Sequence, residues 1–333
     1  MEIKRVAVVG YGNIGRAVIA ALPKQPDMEL AAVLTRRVEQ VREQAPDLPI
    51  FSLDRIDLVA RANVNVAILC GGSCTDLFDG RQGPQLAERW NTVDSFDTHA
   101  RIRDYAELMQ TAAEKAGTVA VFSVGWDPGT FSLARVYADA FLPGCKPYAF
   151  YGLTEQGGLS MGHSDAIRQI PGVADARQYT HAKPEAMELV RSGKNPDFEP
   201  GDLHWRECIV VLEDGADEDE VRRQIVDMPN YFAPYQTTVE FVTQEELERD
   251  YSDMPHDGVV IAASETSPGN AGVIEYANTW NSNPEGTAGI MLAFARAAVR
   301  LRNQGQCGAF TPLDVPPALL SPRSREELLT KFM

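Results

Sequence analysis

Along roughly the first third of the chain, short apolar runs rich in β-branched residues alternate with stretches of helical periodicity. KRVAVV at Lys4–Val9, MELAAVLTRR at Met28–Arg37, VNVAILC at Val64–Cys70, NTVDSF at Asn91–Phe96 and TVAVFSV at Thr118–Val124 read as strands. Most are apolar nearly throughout, as expected of strands buried on both faces of a parallel sheet. The segments between them read as helices, beginning with AVIAAL at Ala17–Leu22. This alternation predicts an α/β fold with a doubly wound parallel sheet.

Farther along, the pattern changes. PYAFYGL, RECIVVL, QTTVEFVT, DGVVIAA and AGVIEYANTW are strand-like runs separated by turns and acidic helices, predicting an α+β region with one mixed, mostly antiparallel sheet and helices on one face. Glu285–Gly305 is apolar around most of a helical circumference, stops at Gly305 and is expected to pack back on the first sheet. GKNPDFEPGD at Gly193–Asp202 reads as an exposed loop. Domains are therefore expected at 1–122, 123–281 and 282–333.

The first strand delivers Gly10, Gly12 and Gly15 in GxGxxG spacing at the mouth of a helix. Strand, glycines and helix in that order form the Rossmann-type fingerprint for a dinucleotide: the turn brings backbone N–H groups to a pyrophosphate and Gly15 permits close packing. About twenty residues beyond the glycines, where an NAD enzyme places an acid on the ribose 2′-hydroxyl, stand Thr35, Arg36 and Arg37. A hydroxyl and two guanidiniums suit a 2′-phosphate, so NADP is expected over NAD; a solvated basic turn is the plain alternative.

Composition narrows the classes. At 333 residues, with 44% hydrophobic and 23% charged, the chain is an ordinary globular protein of more than one domain. A formal charge of −16 and a pI near 4.8, with no basic stripe, exclude a nucleic-acid surface. No stretch has the length of a membrane span, and Met1 leads directly into the first strand, so a cytoplasmic protein is expected. Five cysteines without a CxxC, and five scattered histidines, point to reduced thiols and no metal site.

In open α/β sheets the ligand lies beyond the carboxyl ends of the strands. Those ends here carry Gly71, Gly72 and Ser73 in CGGSCTD, Asp94 and Asp97 in VDSFDTH, and Trp126 and Asp127 in VGWDPGT. Carboxylates at a hydride-transfer site suit an amine, whose ammonium needs an anionic seat and must lose a proton before its C–H bond yields hydride. Asp94 reads equally as an inward polar residue or a cap, Asp127 as a turn former before Pro128, and Trp126 as core.

GYGNIGR, KQPDMEL, TRR, VDSFDTH, GWDPGT, MGHSDAIRQIPGV, DMPHDG and GQCGAFTPLDVPP, in that order, give the chain a nearly end-to-end resemblance to the diaminopimelate dehydrogenase family. The resemblance implies a reversible NADP-dependent oxidative deamination of the D-configured carbon of meso-2,6-diaminopimelate to L-2-amino-6-oxopimelate and ammonia, in lysine biosynthesis, by a homodimer. It implies a cofactor site at Gly10, Tyr11, Gly12, Asn13, Ile14, Gly15, Thr35, Arg36, Arg37, Cys70, Gly71, Gly72, Ser73, Ser95, Phe96, Asp97, Val124, Gly125, Trp126, Asp127 and Pro128. The substrate falls by the same resemblance to Asp97 and Asp127, the catalytic pair at the reacting amine, and to Tyr151, Met161, Gly162, His163, Ser164, Asp165, Thr180, Arg206, His256 and Asn283. Arg206 suits a bidentate carboxylate contact, and N–H groups at Met161 and Gly162, opening a helix, suit another. Arg206 also reads as a cross-strand ion pair, His256 as a turn residue and Asn283 as a helix cap.

The chain departs from the family pattern at Tyr151, where many members carry Trp, and in the longer loop around Thr154–Leu159. Two other functions fit the residues read alone: a reductase of the dihydrodipicolinate or homoserine type, and a non-catalytic NADP sensor.

Overall fold

The computed structural model describes residues 2–333, which form two compact units: residues up to Leu133 with Pro284–Met333, and Ala134–Asn283. In the first unit, strands β1 (Lys4–Val9), β2 (Met28–Thr35), β3 (Ile50–Ser52), β4 (Val66–Leu69), β5 (Asn91–Asp94) and β6 (Val119–Val121) pair in parallel in the order 3-2-1-4-5-6. A seventh parallel strand, Gly308–Phe310, extends the sheet beside β6. That order is the doubly wound one, with its topological switch between β1 and β4.

Strand alternation explains the apolar runs. Val6 and Val8 point into one core with Met291, Leu292 and Ala295 of helix Asn283–Asn303; Ala7 and Val9 point into the other with Tyr105, Met109 and Ala113 of helix Ile102–Ala116. The helix expected to return to this sheet does so. At 21 residues it is the chain's longest described helix, yet none among the described residues is long and apolar enough to cross a membrane.

A charged cluster sits inside this unit. Asp27, with no exposed surface, takes a bidentate contact from Arg296 (Nε and Nη2, both 2.7 Å) and a third from Lys4 Nζ at 3.1 Å. Arg296 also donates to the Leu320 carbonyl and to Gln25 Oε1, both at 2.8 Å. Burial raises the Asp27 pKa, and the contacts from Arg296 and Lys4 overcome that and hold it below the ordinary value.

The second unit divides its strands between two sheets rather than one. β7 (Tyr148–Tyr151), β12 (His256–Glu265) and β13 (Ala271–Trp280) form an antiparallel trio in the order 13-12-7. β8 (Gly158–Leu159), β9 (Val173–Ala182), β10 (His204–Leu212) and β11 (Gln236–Phe241) form a mixed sheet in the order 11-10-9-8, with β10 and β11 parallel. β9 escapes sequence reading because Gln178, Thr180 and His181 are buried polar residues, which erases the apolar alternation. The Gly193–Asp202 segment is irregular up to Pro200, where a one-turn helix begins.

Candidate active site

At the switch point the three glycines have three different reasons. Gly10 sits at φ +102°, which side chains rarely adopt, and a Cβ on Gly15 would lie 2.1 Å from the Gly10 carbonyl oxygen. A Cβ on Gly12 would meet no atom of the described residues within 4 Å, so none of them demands glycine there. The space is left for an occupant. Gly12 opens helix Asn13–Ala21 without a side-chain cap and without an acid in its first turn, leaving the N–H groups for an anion. Tyr11 and Ile14 are half-buried against neighbouring apolar clusters, and the Asn13 amide oxygen accepts from Arg16 Nη2 at 2.7 Å.

At the end of β2, Thr35 is buried and its hydroxyl accepts the Arg37 N–H at 3.1 Å, so it shapes the turn. The Arg36 and Arg37 side chains are exposed, and Arg36 Nη2 donates to Asp76 Oδ1 at 2.8 Å. At the end of β4, burial pushes the Cys70 thiol up to about 12, making it an unreactive packing group. Gly71 and Gly72 have an internal reason as well: Cβ atoms there would meet Asp76 Cβ at 2.9 Å and Thr75 Oγ1 at 2.6 Å.

The next two strand ends carry the acids. Ser73 Oγ donates to Asp97 Oδ1 at 2.6 Å and accepts the Asp97 N–H at 3.2 Å, fixing an exposed carboxylate beside the β4 turn. Asp127 is half-buried in an extended turn whose Asp127–Pro128 peptide is cis. Asp94, grouped with these acids by its place at a strand end, points the other way. It is fully buried, accepting from Tyr105 Oη (2.8 Å), Phe96 N–H (3.0 Å) and Ser123 N–H (3.3 Å), and burial pushes its pKa up to about 6. Phe96 and Val124 are also core residues, Phe96 stacking on Tyr105 at 4.2 Å; only their backbone is available to a cofactor. Trp126 packs edge-on against Phe131, while Ser95 and Pro128 are half-buried and Gly125 is buried.

In the second unit, Arg206 on β10 lies opposite Thr180 on β9 and donates Nη1 to the Thr180 hydroxyl. Its guanidinium stacks 4.2 Å from the Tyr235 ring centroid and is only 7% exposed as a residue. Among the described residues no carboxylate oxygen lies within 4.0 Å of it, and its Nε has no hydrogen-bond partner. Burial lowers its pKa from the ordinary arginine value. An ion pair within the sheet, one of the readings of this residue, is therefore not what the sheet contains.

Helix Met161–Arg168 does open at Met161, capped by Ser160, whose hydroxyl accepts the His163 N–H at 3.3 Å and lies 2.7 Å from His163 Nδ1. Burial, with the Arg206 charge second, depresses His163 to about 3, so its imidazole is neutral at pH 7. Met161 is half-buried and Gly162 exposed. Two residues of this stretch are turned to other work. Ser164 is buried, its hydroxyl donating to the Ser160 carbonyl (2.6 Å) and accepting the Gln178 N–H (2.9 Å), and Asp165 is exposed and pairs with Arg168 at 3.2 Å. Their hydrogen bonds go to the helix itself and to strand β9.

The Tyr151 ring stacks near His204 (5.4 Å) and His256 (6.3 Å), and its N–H donates to His204 Nε2 at 2.9 Å. Burial depresses His204 to about 3 and His256 to about 4. Asn283 is buried at the start of its helix, with Nδ2 donating to the Leu159 carbonyl at 3.0 Å. Tyr235 and His204 were absent from the sequence reading. His204 precedes Arg206 by two residues in a strand, which places both on one face; Tyr235 carried no such signal.

Comparison with known proteins is consistent along the whole chain. The family described as "Diaminopimelic acid dehydrogenase C-terminal domain" matches residues 125–282. Meso-diaminopimelate D-dehydrogenase of Ureibacillus thermosphaericus is 48% identical over 329 residues, 99% of each chain. The solved structure of the C. glutamicum DAP dehydrogenase in complex with DAP superposes with a TM-score of 0.93 at 41% identity, covering all of both chains. An engineered D-amino acid dehydrogenase bound to NADP+ gives 0.91 at 40%, again over all of both chains.

Proposed function

The chain belongs to the meso-diaminopimelate D-dehydrogenase family, and we propose on that premise that it catalyses the reversible, NADP-dependent oxidative deamination of the D-centre of meso-2,6-diaminopimelate, yielding L-2-amino-6-oxopimelate and ammonia for lysine biosynthesis. The observation that carries this reading is Arg206: a buried guanidinium braced by Thr180 and Tyr235, with no carboxylate partner among the described residues, suits a substrate carboxylate.

The residues at the switch point fit the cofactor. The uncapped helix after Gly12 takes the pyrophosphate and the exposed guanidiniums of Arg36 and Arg37 take the 2′-phosphate. When bound, NADP+ supplies the hydride acceptor. Asp97 and Asp127 seat the ammonium of the reacting centre, orient it and pass its proton to water, so that the neutral amine can drive hydride loss from the D-carbon. Ser73 holds the Asp97 carboxylate in place. Water then attacks the resulting imine and ammonia leaves, with no covalent enzyme adduct required. In the second unit Arg206, Thr180, Asn283 and the N–H groups of Met161 and Gly162 hold substrate carboxylate, and His256 contacts the amino-acid end that does not react.

NADP+ reduction assayed with meso-, LL- and DD-diaminopimelate and D-lysine side by side tests the substrate. Turnover of the meso isomer is expected, and its absence would overturn the reading. Asp127→Asn is expected to lower kcat/KM by about 100-fold or more, in the range of a lost acid–base group; turnover and affinity close to wild type would remove Asp127 from the amine seat. We further propose a cytosolic homodimer. The exposed Val273, Tyr276 and Trp280 along the outer strand β13 support a second copy there, and sedimentation of the purified chain decides it.

A further inference from the structure

Arg36 is a long, two-thirds-exposed side chain, yet its guanidinium has a fixed address, because Nη2 donates to Asp76 Oδ1 at 2.8 Å. Asp76 is itself anchored. Its other oxygen accepts the Gly72 N–H at 3.0 Å, its backbone lies in the turn Ser73–Asp79, and its Cβ packs where a side chain on Gly71 would have to be. Arg36 and Asp76 both line a cleft of about 770 Å³ in the first unit, so without this contact the guanidinium has ample room to swing away from the end of β2.

We propose that Asp76 is a positioning residue for cofactor choice: it holds Arg36 pointed at the 2′-phosphate and so sets the preference for NADP over NAD. The proposal rests on Arg36 being a 2′-phosphate contact. One carboxylate contact occupies one of the five guanidinium N–H donors, leaving the rest to bind phosphate. Holding the side chain beforehand removes the ordering cost that binding would otherwise incur. The Asp76 charge opposes the phosphate, but the other carboxylate oxygen is committed to Gly72 and the pair with Arg36 compensates it. NAD lacks the 2′-phosphate and gains nothing from the arrangement.

A double-mutant cycle tests this with the full chain. The Kd for NADP+ and for NAD+, read by titrating protein fluorescence, and the KM for each are measured for wild type, Arg36→Ala, Asp76→Ala and the double variant. Asp76→Ala is expected to raise KM for NADP+ by about three- to tenfold, the range for one immobilised side chain, with KM for NAD+ unchanged. In the Arg36→Ala background the same substitution is expected to have no effect on the ratio. An unchanged or increased NADP+ preference in Asp76→Ala, or an effect that persists without Arg36, overturns the proposal. A general folding defect would lower kcat with both cofactors by the same factor and leave the ratio of affinities unchanged, which would also count against it. If Arg36→Ala itself leaves the preference unchanged, the failure belongs to the assignment of Arg36, and the Asp76 proposal falls with it.

Discussion

Arg296 in the first unit and Arg206 in the second are the two buried arginines among the described residues, and they are satisfied in opposite ways. Arg296 meets a carboxylate face to face: both Asp27 oxygens accept from it at 2.7 Å, and Gln25 and the Leu320 carbonyl take further N–H groups. Arg206 has a threonine hydroxyl and a tyrosine ring, and a buried Nε with no partner. Taking a guanidinium out of water costs several kcal/mol even after relaxation. Asp27 offsets that cost for Arg296 within the folded chain, so its cluster binds the long C-terminal helix to the sheet. For Arg206 the proposed function assigns the compensation to a substrate carboxylate. A charge buried without a counter-ion persists where something other than stability requires it, and a substrate carboxylate is the natural complement.

The first way to break the comparison is to remove each guanidinium. Arg296→Ala leaves Asp27 buried beside Lys4 alone and is expected to cost about 3–5 kcal/mol of unfolding free energy in urea titration. Replacing Lys4, Asp27 and Arg296 together by apolar residues of similar volume is expected to recover most of it. A loss below about 1 kcal/mol for the single variant would mean that the cluster is not structural. Arg206→Met should do the reverse. It is expected to leave stability without ligand unchanged or raised, while kcat/KM for diaminopimelate falls about 100-fold (~2.7 kcal/mol), chiefly through KM. Because the Arg206 charge helps depress His163, the same variant is expected to move the His163 pKa upward, which NMR titration can read independently of turnover. A destabilised Arg206→Met with normal KM would invert the roles assigned to the two arginines.

The two regions were also unequally legible in the sequence. The first unit follows near-continuous apolar runs, and the strands β1, β2, β4, β5 and β6 are all readable, because burial on both faces demands apolar residues. The short strands Ile50–Ser52 and Gly308–Phe310 are not, since three residues carry too little pattern. In the second unit the functional strand β9 hides behind buried polar side chains, and dividing the strands into two sheets depends on pairings that no local pattern encodes. Site chemistry divides similarly. Asp97 and Asp127 stand in motifs at strand ends and Arg206 and Thr180 follow from the family resemblance alone, whereas the Asp27–Arg296 pair spans 269 residues of sequence and gives no signal. Asp94, which the sequence leaves open between a site acid and an inward polar residue, is decided by its side-chain direction, set by Tyr105 and two N–H donors.

Asp94 supplies the smallest and sharpest test, because it repeats the comparison with carboxylates. Asp27 has cationic partners and a lowered pKa, so its contribution is intact above the ordinary carboxylate range and is lost only as the pH falls through the lowered value. Asp94 is held by neutral donors alone and its pKa is pushed up to about 6. Between about pH 6 and 4 the folded state therefore binds a proton that the unfolded chain does not, and this one group adds stability as the pH falls. The buried histidines work against it. His163, His204 and His256 are held neutral, so the unfolded state takes up protons first and wild-type stability is expected to decline from pH 7 to 5. Asp94→Asn removes only the opposing gain, and its decline over that interval should be steeper than wild type by about 1 kcal/mol in urea unfolding at the two pH values. Parallel declines would show that Asp94 carries no raised pKa, and that neutral donors alone offset the burial of its charge.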